Sequence, residues 1–155
     1  MFSDMLSKIL VPYDGSRYSI KALTKAMELA RNLDSQIFLF SVVSLDYISP
    51  PGMLGLIRTR TEKESIKKWT KKIQTDTEKM LKTAAKRCEE KGITVSYNVG
   101  RGNITNEVLN FSKKKKISLI VIGNQGLHGI NKIKTLGSVS RRISEHASCP
   151  VLIVR

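Results

Sequence analysis

Apolar and polar positions along the chain switch between two periods. Lys8 to Pro12 (KILVP) is a short continuous apolar run, and Tyr13-Asp14-Gly15-Ser16 after it has turn chemistry, with Ser16 placed to cap a helix. From Arg17 to Leu33, Ile20, Leu23, Met27 and Ala30 recur at helical spacings with most charges elsewhere, which predicts an amphipathic helix laid on a sheet. Gln36 to Val43 (QIFLFSVV) is apolar almost throughout, the pattern of a strand buried on both faces of a parallel sheet. Pro50-Pro51-Gly52 and Gly55 then mark a loop.

The lysine-rich stretch from Glu62 to Lys91 has the composition of a basic linker but not its pattern. Ile66, Trp69, Ile73, Met80, Ala84 and Cys88 step by three, four or seven, which places them in one inward stripe of a long helix and leaves the lysines as its solvated face. Gly92 ends that helix. Ile93 to Val99 alternates as a strand, and Gly100-Arg101-Gly102-Asn103 leads into a helix with Ile104, Val108 and Phe111 inward. Lys113 to Lys116 closes it, where cations favour the helix dipole. A strand from Ile117 to Ile122, a glycine loop, a helix from about Ser138 to Ala147 and a strand from Pro150 to Val154 complete the series.

Five strands alternating with helices predict one α/β domain built on an open, five-stranded parallel sheet with right-handed crossovers. In such sheets ligands bind beyond the carboxyl ends of strands, near the point where strand order reverses. Two strand ends have the chemistry for this: Pro12-Tyr13-Asp14-Gly15-Ser16 and Gly123-Asn124-Gln125-Gly126. If the first and fourth strands are neighbours, a carboxylate and a glycine-lined backbone face one crevice. A carboxylate accepts hydrogen bonds from ribose hydroxyls or an exocyclic amine, and glycine lets peptide N–H groups approach phosphate oxygens. Gly137-Ser138, opening the last helix, adds free N–H groups and a positive dipole end.

Charge adds a second theme. The formal net charge is +14, and residues 1–50 hold five basic and five acidic side chains against 22 and eight in 51–155. A field of that size draws polyanions without saying which. The two cysteines, Cys88 and Cys149, are too few for a disulfide framework or zinc cluster and read as reduced thiols. No apolar run approaches the roughly 20 residues of a membrane span, and Met1 to Ser7 lacks an export pattern, so a cytoplasmic protein without a membrane partner is expected. A phosphate-binding lysine loop, a nucleophile elbow, zinc spacing and paired catalytic carboxylates are all missing from the sequence. The expectation is binding without efficient turnover, with slow hydrolysis of the bound ligand left open.

Over essentially its whole length the chain resembles the universal stress protein family: KILVPYDGS opens the first strand, GNQG follows the fourth, and GSVSRRISEHASCPVLIVR closes the chain. The resemblance implies helices on both faces of the sheet, a homodimer through the last strand (Val151 to Val154), and, for the subclass with Gly-x-x-Gly, nine residues and Gly-Ser/Thr, a bound ATP or other adenine nucleotide, with or without magnesium. It further implies that Asp14 and the backbone of Val42 hold the adenosine end with Pro12 lining the pocket. Gly123, Gly126, Gly137, Ser138, Val139 and Ser140 would cradle ribose and phosphates. Here ten residues, Leu127 to Leu136, separate Gly126 from Gly137, one more than the family pattern.

Plainer roles stand beside these. Asp14 could serve only as a helix cap, Gly123 and Gly126 as turn glycines, and Gly137-Ser138 as an ordinary helix start. His128, Lys132 and Lys134 read as solvated loop residues, and His146 as a packing histidine. A nucleotide-free dimeric interaction module, which the ten-residue spacing favours, and a basic nucleic-acid-associated protein remain as alternative functions; scarce aromatics near the basic runs count against the latter.

Overall fold

The computed structural model describes residues 6–44, 59–126 and 136–155. Its elements run β1 (Lys8–Pro12), α1 (Arg17–Leu33), β2 (Gln36–Val43), α2 (Arg60–Glu89), β3 (Val95–Arg101), α3 (Ile104–Lys115), β4 (Leu119–Gly123), α4 (Ser138–His146) and β5 (Val151–Val154). β1, α1 and β2 fall where the pattern places them. β3 and β4 each begin two residues later than expected, and α2 begins and ends two residues earlier. The proline and glycine loop at 50–55 lies outside the described residues, as do Leu127 to Thr135 of the glycine loop.

All strand pairings are parallel, in the order β3-β2-β1-β4-β5. From β1 the chain winds outward to β2 and β3, then crosses back to add β4 and β5 on the other side, so order reverses between β1 and β4. Strand alternation divides the core into two. Ile9, Val11, Ile37, Leu39, Leu119 and Val121 point to the face covered by α1 and α2, while Leu10, Phe38, Phe40, Ile120 and Ile122 point to that covered by α3 and α4. Helices therefore occupy both faces.

Helix starts are set locally. Ser16 Oγ accepts from Ser19 N at 3.2 Å, Thr59 and Glu62 form a reciprocal capping box, and Asn103 Oδ1 accepts from Asn106 N at 3.1 Å. α4 begins at Gly137 with no side-chain cap, which leaves its first amides directed outward.

Five inward assignments need correction, in three places. Trp69 is 65% exposed and Ile66 and Ile73 only half-buried, because α2, about 45 Å long at 1.5 Å per residue, outruns the sheet it packs on. Its buried residues are Leu81, Ala84, Ala85 and Cys88, all in the final third. Ile20 is 39% exposed at the edge of the α1 stripe. His146 does not pack; it is exposed at the end of α4, its Nδ1 2.9 Å from the carbonyl oxygen of Arg142.

Candidate functional site

Parallel pairing of β1 with β4 brings the ends of both strands to one rim. Leaving β1, Tyr13 N donates to Phe40 O at 2.8 Å, which holds the turn against β2. Asp14 then folds its carboxylate back so that Oδ1 accepts from Ser16 N at 2.9 Å. Gly15 adopts a φ of +77°, a conformation that glycine takes without strain, and the Met80 side chain of α2 packs against it. The turn is thus anchored by β2, its own backbone and α2.

Across the rim, β4 ends at Gly123. Its carbonyl accepts from the buried Ser140 hydroxyl at 2.7 Å, and Gly137 N donates to Asn124 O at 2.9 Å. These two bonds dock the start of α4 on the end of β4. Gly126 then passes so close to Asp14 that a methyl group on it would stand 2.8 Å from Oδ2.

The result is a crevice of about 240 Å³, room for one small molecule. Pro12, Asp14, Val42, Gly123, Gly126, Gly137, Ser138, Val139 and Ser140 all line it, so the structure gathers all nine residues that the resemblance assigned to the nucleotide. Several others complete its walls: Phe40, Ile104, Val108 and Ile122 make the floor apolar, and Ser41 and Gln125 add polar groups. Phe40 and Ile122 were detectable from strand alternation, since Ile122 sits near the end of β4 and Phe40 lies beside Pro12 at the end of β1, both on one sheet face. Ile104 and Val108 belong to α3, whose approach only the tertiary fold reveals.

Two of the nine have duties within the fold. A methyl group on Gly123 would stand 2.7 Å from the carbonyl carbon and Cβ of Tyr18 in α1, so this position is small because a helix crosses it. Ser140 commits its proton to Gly123 O and keeps only acceptor capacity.

Among the described residues lining the crevice, Asp14 is the single carboxylate and there is no cation. Positive potential comes instead from the uncapped amides at the start of α4. Next to the crevice lies a second hollow of about 250 Å³, sharing Ile104, Ser138 and Val139 with it and bounded by Ser44, Asn103, Thr105 and the guanidinium-bearing Arg142. Nearby, burial raises the Tyr13 hydroxyl above its ordinary pKa, against the opposing pull of Arg87, so it stays protonated at neutral pH. Among the described residues no group of three His, Cys, Asp or Glu side chains converges as a metal site would. His128, Lys132 and Lys134 lie outside the described residues.

A family model described as "Universal stress protein family" matches residues 5–155. The chain belongs to the universal stress protein family. A curated universal stress protein from Bacillus subtilis, YxiE, is 32% identical over 151 residues, covering 97% of this chain and all of its own length. The solved universal stress protein UspA from Lactobacillus plantarum superposes with a TM-score of 0.82 at 18% identity, over 97% of this chain and 98% of its own. Another solved relative, a universal stress family protein from Arabidopsis thaliana with AMP bound, gives 0.64 at 18% identity, over 96% of this chain and 90% of its own. This universal stress protein thus shares its α/β fold with both solved structures.

Proposed function

We propose that this universal stress protein binds an adenine nucleotide in the crevice between β1 and β4, as a structural ligand or switch rather than as a substrate turned over efficiently. The observation that supports this most is the meeting of Asp14 with the bare backbone of Gly126 above an apolar floor. The ligand such a crevice suits has a flat apolar part, hydroxyls for a carboxylate and an anionic tail for a helix N-terminus, and an adenine nucleotide has all three. The AMP held by the Arabidopsis relative is consistent with that chemistry.

In this reading the base rests on Phe40, Val42 and Ile104, with the Val42 backbone and Pro12 at its edge. Asp14 accepts from the ribose. Gly126, Gly137, Ser138 and Val139 present amides to the α-phosphate, and Ser140 and Gly123 hold that cradle together. ATP would send its distal phosphates toward the second hollow and Arg142. With no cation among the described residues lining the crevice and its single carboxylate, Asp14, assigned to the ribose, the groups present favour holding a nucleotide over cleaving it.

Binding only to the folded state stabilises it by mass action, which gives the nucleotide a route to act as a signal. β5 forms one edge of the sheet with Leu152 exposed, and we assign Val151–Val154 as the homodimer contact. Mass spectrometry of small molecules released from freshly purified protein tests the nucleotide reading. Stoichiometric adenylate supports it; an empty crevice from nucleotide-rich extract supports a nucleotide-free interaction module instead.

A further inference from the structure

The basic half of α2 takes no part in the crevice. From Arg60 to Lys79 none of its residues is buried, and Trp69, the chain's single tryptophan, is 65% exposed. At about 100° per residue, Trp69, Ile73 and Ile66 fall within an arc of roughly 60°. Lys68 and Lys72 flank that arc on the Trp69 side, and Lys63 and Lys67 flank it on the isoleucine side. Residues 63–72 contain five lysines and one glutamate, and among the described residues none of these lysines is in an ion pair. The overhang therefore carries a narrow apolar ridge between two rows of ammonium groups, with the carboxylates of Glu62 and Asp76 at its two ends along the helix.

Three kinds of occupant can be compared. A second copy of this face would set lysine against lysine. Single-stranded nucleic acid is held in a basic groove with successive aromatic platforms, whereas this stripe offers one aromatic ring between half-buried isoleucines. An anionic lipid surface matches both parts: indole and isoleucine enter the headgroup layer while lysine stems reach lipid phosphates.

We propose that the overhanging half of α2 docks on anionic bilayer surfaces, weakly and reversibly. This departs from the expectation of no membrane partner, which rests on the lack of a spanning run and of an export pattern. It is independent of the nucleotide reading.

The test uses the full chain with vesicles of phosphatidylcholine alone or with about one third phosphatidylglycerol, at about 0.1 M salt. Trp69 emission and co-sedimentation are read together. The proposal predicts a blue shift and co-sedimentation with anionic vesicles only, both reversed by high salt. Lys68→Gln/Lys72→Gln should weaken binding by about ten- to thirtyfold, from the usual gain per lysine near an anionic surface. Lys113→Gln/Lys114→Gln, at the end of α3, should change it by less than about threefold. All four lysines are exposed, so an unchanged melting temperature verifies the fold. No shift with anionic vesicles overturns the proposal, as does an equal loss in both double variants, which would indicate bulk charge. A larger response to a single-stranded oligonucleotide at matched phosphate overturns it in favour of a nucleic-acid surface.

Discussion

Asp14 Oδ2 occupies the space that a side chain at position 126 would need, since a methyl group on Gly126 would stand 2.8 Å away. Gly126 has no positive φ that would strain alanine, so the substitution meets the carboxylate and little else. Gly126→Ala should therefore lower nucleotide affinity by about ten- to a hundredfold, the worth of one charged hydrogen bond, and alter stability by less than about 1 kcal/mol. Titration calorimetry and thermal melting on the same sample separate the two effects.

Gly123 is predicted to behave in the opposite way. Added carbon there meets Tyr18 backbone at 2.7 Å, and a helix backbone cannot move aside as a side-chain tip can. Gly123→Ala should cost about 1–3 kcal/mol in urea unfolding. Ser140→Ala, which strips the Gly123 carbonyl of its buried donor, should cost about 1–2 kcal/mol.

These contrasts show how far the sequence alone could reach. Strand and helix order were legible because KILVP, QIFLFSVV and LIVIG are continuous apolar runs, while the helices repeat at three and four. The residues of the crevice were legible because strand ends in a doubly wound sheet converge at the order reversal. Not legible was that Gly123 answers to α1, since this needs the distance between two elements. Trp69 escaped for a related reason: periodicity defines which side of α2 is apolar but not where the sheet beneath it ends.

Arg142 offers a test of nucleotide preference. It borders the second hollow, one turn along α4 from Ser138. Arg142→Gln should weaken ATP by about fivefold, as suits an exposed charge, and leave AMP unchanged. Competition between the two nucleotides in wild type and variant reads the difference directly.

Burial pushes the Cys88 thiol up to about 11. The unfolded chain ionises this thiol near its ordinary value while the folded chain keeps it neutral. Stability from this group is therefore complete below about pH 9 and declines as pH rises toward 11. The stability difference between wild type and Cys88→Ala should shrink by about 2 kcal/mol between about pH 8 and pH 10.5 in urea unfolding.

Lys116 ends α3 in a left-handed conformation, φ 53° and ψ 52°. A side chain is strained there and glycine is not, so Lys116→Gly should stabilise the fold by about 0.5–1 kcal/mol and raise the melting temperature by a few degrees.

The central claim is that Asp14 grips the sugar of an adenine nucleotide. Calorimetric titration of AMP and ATP into nucleotide-stripped wild type and Asp14→Ala addresses it most directly. The account predicts one site per chain in wild type and a loss of at least about tenfold for both nucleotides in the variant, beside a melting temperature lowered by only a few degrees in the absence of ligand, the effect of losing the Asp14 bond to Ser16 N. Equal affinity in the two proteins would contradict it.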